Sequence, residues 1–212
     1  MARYTGPKEK LERRIGEKLF LKGERSYSPK AAIVKKPYPP GVHGKKKRMR
    51  RISEYGSQLI SKQKVRLIYR VLERQFEKYV EESLKSRGSS SDALVRNLER
   101  RLDNVVFRMG LSPARDTARQ LVSHGHLKVN GKPINIPSYR VEVGDVISVK
   151  PNNLKNPYFS SVLPQYIKKY QSPEWLEVDK DVLTGKVKRM PEAAESGVEI
   201  KDIQAIIEFY SR

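Results

Sequence analysis

Apolar residues recur at steps of three and four from Leu59 through Val65, Ile68, Leu72 and Phe76 to Tyr79, with Val80 beside it. That spacing puts them on one stripe of a helix. It predicts a single long helix beginning after Ser53, a good N-cap, and ending in the loop Gly88-Ser89-Ser90-Ser91. Gln58, Lys62, Lys64, Arg66, Arg70 and Arg74 dot its other positions, and its aromatics read as core. Next, Asp92 can cap a helix carrying Leu94, Leu98, Leu102, Val105 and Met109, with Gly110 at C′. Ser112 and Pro113 read as N-cap and first residue of a short helix through Ala118, Leu121 and Val122 to Gly125. The period then changes. Leu127 and Val129 alternate, Asn130-Gly131 is a strong hairpin signal, and Ile134, Ile136, Val141, Val143, Val146 and Val149 continue as short strands around a Gly144-Asp145 turn. Beyond Pro151 a polar stretch carries a short helical run around Tyr158–Tyr170. The piece from Trp175 to Val178 reads as extended, with Trp175 packing, and Ile203, Ile206, Ile207 and Tyr210 fit a final helix or strand.

Residues 1–51 have no such period. They are rich in Gly and Pro and hold 17 Lys or Arg against 4 Asp or Glu, a net of +13 within a chain of net charge +20. A segment that buries little apolar area does not readily offset its own ordering entropy. The run Lys45 to Arg51 is the densest cation cluster. A polyanion is the natural partner for such a charge, because phosphate binding releases condensed counterions; solvated charge or a membrane-surface patch is the plainer reading.

Other chemistries find little support. The chain has no cysteine, so disulfides and thiolate metal sites are excluded. No apolar run approaches the length needed to span a bilayer, and the first residues have no signal-peptide pattern. Neither a P-loop nor GxGxxG occurs. His124 and His126 stand two apart without a third or fourth ligand nearby, which favours hydrogen bonding to backbone or RNA over a metal. Arg115 and Arg119, four apart, share a helix face suited to phosphate, although an ordinary solvated face gives the same pattern.

The segments RLDNVVFRMG (101–110), ARQLVSHGHLKVNGKPINIPSY (118–139) and VGDVISV (143–149) resemble the S-four RNA-binding module. That module also occurs in pseudouridine synthases, tyrosyl-tRNA synthetases and a heat-shock ribosome factor. MARYTGP (1–7), GEKLFLKGER (16–25), PPGVHG (39–44), EYGSQLISKQKVRLIYRVLERQF (54–76), WLEVD (175–179) and IIEFYSR (206–212) are similar to the bacterial and organellar family of small-subunit ribosomal protein four. The blocks stand in the family's order and cover nearly the whole chain.

The resemblance implies an α+β chain. It would have a basic irregular arm (1–51), a helical domain (52–91 plus 174–212) and an inserted S-four module with its trailing segment (92–173). It implies a structural constituent of the small subunit, not an enzyme and not a homo-oligomer, in the cytoplasm or an organelle and not on a membrane. Implied partners are small-subunit rRNA, bound early at a multi-helix junction to nucleate assembly; ribosomal protein five of the small subunit, at an interface tied to accuracy; and messenger RNA near the entry channel. Repression of its own operon, known in some members, is left open. A modifying enzyme or a transient ribosome factor built on the same module are the competing classes; the first lacks a catalytic domain here, and the second tends to lack PPGVHG and WLEVD. Candidate rRNA contacts are Arg3, Lys8, Arg13, Arg14, Lys22, Lys35, Lys36 and His43 in the arm, Lys62, Lys64, Arg66 and Arg70 on the long helix, and Arg108, Arg115, Arg119, Gln120, Ser123, His124, His126, Asn130 and Lys132 in the module. The messenger-entry candidates are Lys45, Lys46, Lys47, Arg48, Arg50 and Arg51. Zinc-binding members carry four cysteines where this chain has Glu9, Glu12, Ser26 and Ala31, so no metal or other cofactor is expected. Glu9 and Glu12 are expected to pair with Lys8, Lys10, Arg13 or Arg14, and RNA contact, more than internal bonding, to order residues 1–44.

Overall fold

The computed structural model describes residues 4–46 and 52–211. In chain order these form α1 (Lys8–Ile15), α2 (Glu24–Tyr27), α3 (Ala32–Lys35), α4 (Glu54–Ile68), α5 (Glu73–Leu84), α6 (Ser90–Glu99), α7 (Leu102–Arg108), α8 (Arg115–Ser123), β1 (Leu127–Val129), β2 (Lys132–Pro133), β3 (Val146–Val149), α9 (Leu163–Ile167), β4 (Leu176–Asp179), β5 (Thr184–Val187) and α10 (Ile200–Tyr210). The fold is α+β. It divides into two compact units, one running up to Leu94 and resuming at Gly197, the other spanning Val95–Ser196. No helix among the described residues is long and apolar enough to cross a membrane.

In the first unit the predicted long helix is two helices. Ser53 caps α4 by accepting the Gly56 N–H at 3.2 Å, but Arg70 takes a left-handed conformation (φ 56°) and the chain turns before α5. The break has a packing reason. Tyr69 and Val71 are both buried, whereas in an unbroken helix residues two apart point about 200° from each other. α10 packs along α4, resolving the open choice at the C-terminus in favour of a helix. The arm also has internal structure. Leu19 and Leu21 are buried with Leu67, and Leu11, Ile15 and Ile68 lie against them. The expectation that residues 1–44 rest chiefly on RNA contact is therefore corrected, since α1 and α3 pack together and α1 meets α4.

In the second unit α6 and α7 replace one predicted helix. The chain is extended at Arg101, which bridges to Arg140, and the freed Leu102 and Asp103 N–H groups donate to Tyr139 and Pro137 carbonyls. Ser89, not Asp92, supplies the cap of α6, its Oγ accepting the Asp92 N–H. Gly110 does end α7 with φ 77°; a Cβ there would run into the Tyr170 ring. α8 starts at Arg115 rather than Pro113. Asn130 and Gly131 both have positive φ, as a type I′ hairpin turn requires, and join β1 to β2. The antiparallel sheet has the order β2-β1-β3-β5-β4.

This topology corrects the expected boundary at residue 174. Trp175 is fully buried among Leu102, Met109, Ile147 and Leu163, and β5 pairs Ile147 with Gly185. The segment 174–187 therefore completes the module's sheet, and only the part after Gly197 belongs with the helices. β1 and β2 are only three and two residues long, so the four-residue strands β4 and β5 add most of the sheet's length beside β3. Of the apolar residues expected in strands, Ile136, Val143 and Val146 are exposed.

Candidate nucleic-acid interface

The arm's cations divide into those that hold its shape and those that face outward. Arg13 is of the first kind. Its Nε donates to the carbonyls of Lys36 (3.0 Å) and Tyr38 (3.1 Å), another nitrogen reaches the Pro39 carbonyl at 3.4 Å, and the guanidinium lies over the Tyr38 ring. Lys45 approaches the same ring at 5.6 Å to the centroid. Arg13 thus fixes the loop that leads into the basic run. Arg14, Lys22, Lys35, Lys36, His43 and Lys45 are exposed, and Lys8 is partly so. Lys46 is described by its backbone alone, while Arg3, Lys47, Arg48, Arg50 and Arg51 lie outside the described residues.

Glu9, Glu12, Ser26 and Ala31, the positions where the resemblance places cysteines in zinc-binding members, each have partners other than a metal or carry no ligand atom. Glu12 is buried, and its Oε1 accepts the Leu21 N–H at 3.1 Å. Burial pushes this carboxyl above its usual range, against the opposing pull of the Leu21 and Leu19 N–H groups. Ser26 Oγ accepts from Lys22 N at 3.2 Å. Glu9 takes the Ala32 N–H at 3.4 Å and pairs with Arg25 at 3.1 Å. Ala31 has no donor atom and is buried. This set does not fit a tetrahedral site of four thiolates. The pairing of Glu9 with Arg25 departs from the expected neighbours Lys8, Lys10, Arg13 and Arg14, because α2 brings Arg25 across from α1.

On α4, Lys62 and Lys64 are turned inward. Lys62 pairs with Glu73 and lies over Phe209, 4.8 Å from the ring centroid. Lys64 bonds Glu17 at 2.7 Å and Asp202 at 2.8 Å, and these partners raise its pKa although burial opposes them. Arg66 bonds Gln63 and approaches Glu73. Arg70 donates to the Tyr4 carbonyl at 3.2 Å. The expected row of phosphate contacts along this helix is instead largely the seam binding α4 to α1, α5 and α10.

In the module three expected arginines join a buried polar network. Glu99, fully buried, accepts both Arg108 Nε (2.9 Å) and a terminal Arg108 nitrogen (2.8 Å), and also Asn104 Nδ2 (2.7 Å). Asn104 Oδ1 accepts Arg115 Nε at 2.8 Å, and the Arg115 guanidinium lies over Phe107. Asp103 takes Arg101 at 2.7 Å and Arg119 at 3.0 Å. Buried carboxylates need such partners, since an uncompensated one is costly. Asn130 is similarly engaged: Nδ2 donates to Asp145 and Oδ1 accepts the Val146 N–H, locking the hairpin to β3. Gln120, Ser123, His124 and Lys132 are exposed, and His126 is half-buried with its ring edge-on to Phe159.

Glu99 and Asp103 stand on either side of the break at Arg101, and their partners Arg108 and Arg119 lie 9 and 16 residues away, so no helical spacing announced them. Among the described residues no group of three or more His, Cys, Asp or Glu is gathered as a metal site.

Two family models match the chain in succession: the ribosomal protein S4/S9 N-terminal domain over residues 3–99 and the S4 domain over residues 100–147. Among curated proteins, the small ribosomal subunit protein uS4 of Caldicellulosiruptor saccharolyticus is 50% identical over 212 residues, covering 100% of both chains. That of Natranaerobius thermophilus is 49% identical with the same full coverage, and the protein uS4A of Symbiobacterium thermophilum is 47% identical, again end to end. With both domains matched in order and identity sustained over its full length, the chain belongs to the uS4 family of ribosomal proteins.

Proposed function

We propose that this chain is a structural constituent of the small ribosomal subunit that binds the subunit's rRNA directly. The observation that carries this reading is the end-to-end identity with proteins named for that subunit. A net charge of +20, most of it in the arm, supports it through phosphate neutralisation. The outward cations Arg14, Lys22, Lys35, Lys36, Lys45 and Lys132 form the phosphate-contacting set, with Gln120, Ser123 and His124 beside them at α8. Lys62 and Lys64 are dropped from that set because they are buried in ion pairs.

Binding is early and nucleates assembly of the subunit body. The run from Lys45 to Arg51 meets messenger RNA at the entry side. The surface of α4 and α10, where exposed Tyr55 lies 5.5 Å from the Phe209 ring centroid, meets ribosomal protein five and contributes to accuracy. The corner at Glu9, Glu12, Ser26 and Ala31 works without metal. The place of action follows the ribosomes, the cytoplasm in a bacterial cell. A tagged copy expressed in cells should remain stoichiometric in small subunits after a high-salt wash; release into the supernatant would overturn the reading.

A further inference from the structure

Phe20 stands in left-handed backbone with φ 54°, a genuine outlier for a bulky residue. The conformation is held on its C-terminal side, where Glu12 Oε1 accepts the N–H of Leu21 at 3.1 Å. Leu19 and Leu21 point into the core while Phe20 is 45% exposed. Its ring stacks on Tyr27, with centroids 4.8 Å apart and planes inclined by 29°. Tyr27 is 74% exposed, so its outer face is open. Strained backbone that displays an aromatic stack points to use rather than packing.

The surroundings favour one occupant. Lys18, Lys22 and Lys30 are exposed within a few residues of the rings, and so is Arg25, which pairs with Glu9; of the exposed acids nearby, Glu17 is already bonded to Lys64 and Glu24 is the other. Cations beside an open aromatic face are the combination that holds single-stranded nucleic acid, with the charge on phosphate and the ring on a base. We propose that Tyr27, backed by Phe20, is a stacking platform for an unpaired base of small-subunit rRNA, with Glu12 as the positioning residue that holds the platform in shape. This rests on the rRNA-binding reading above.

The test uses the full chain and a small-subunit rRNA transcript. Tyr27→Leu should bind about tenfold more weakly with an unchanged slope of affinity against salt, because no cation is removed, while Tyr27→Phe should bind like the parent. Tyr27→Trp adds an exposed indole to the buried Trp175, and the fluorescence of the introduced indole should be quenched and shielded from acrylamide when the transcript binds. Parental affinity for Tyr27→Leu, or an introduced-indole signal unchanged by the transcript, overturns the platform and leaves the rRNA reading standing. Shielding of that indole only in assembled subunits, with none on the transcript, assigns the face to a protein and also overturns it. Failure of the parent to bind the transcript removes the rRNA reading itself.

Discussion

In the sequence Glu12 is one acid in a basic arm; in the structure it is buried and accepts the Leu21 N–H beside Phe20. Removing its acceptor would strand the buried Leu21 N–H, a cost of about 1–3 kcal/mol. Glu12→Ala should therefore lose about 2 kcal/mol by urea unfolding. Glu12→Gln, which keeps one acceptor and sheds a buried charge, should stay within about 1 kcal/mol of the parent. Equal stability of all three would mean that the carboxyl holds nothing. The arginines teach a related lesson. Arg115 and Arg119 do share a face as their spacing implies, but Asn104 and Asp103 stand opposite. Periodicity reports which residues lie together on one element; it is silent about what another element brings to them.

The legible elements were those written in local chemistry. The Asn130-Gly131 turn, the Ser53 cap and the Gly110 stop all appear where the sequence puts them, because each depends on a few adjacent residues. The breaks at Arg70 and Arg101 were not legible. Neither carries Gly or Pro; one is set by burial of Tyr69 and Val71, the other by pairing with the distant Tyr139–Val141 segment. The placement of β4 and β5 is also non-local. The Arg13 clamp belongs to this scale, joining α1 to the loop from Lys36 to Pro39. Arg13→Lys keeps the charge but cannot span several carbonyls with a planar fork. Losing one or two such bonds, at about 1 kcal/mol each, should speed tryptic cleavage after Lys35 roughly tenfold. Unaltered cleavage would show that the loop is held by other means.

At the scale of the whole molecule, the first quarter of the chain carries most of the excess charge, while Lys62 and Lys64 of α4 and Arg101, Arg108 and Arg119 of the module are committed to internal acids. Salt dependence should therefore follow the arm. Replacing Lys45, Lys46, Lys47 and Arg48 by Gln should flatten the slope of log affinity for rRNA against log salt by about 0.7–0.9 for each phosphate no longer neutralised; an unchanged slope would mean that these side chains face solvent. The side-chain bonds of Arg13, Glu12 and Glu9 that tie the arm to itself join residues at most 26 apart. Ribosomes extend a chain at roughly 5–20 residues per second, and local structure can form behind the growing end. A corner made of thiolates would stay unfinished until an ion arrived. One made of Glu9, Glu12 and Ser26 has its parts in hand once Ala32 has been joined, so the arm can begin to close within seconds, while most of the chain is still to be made.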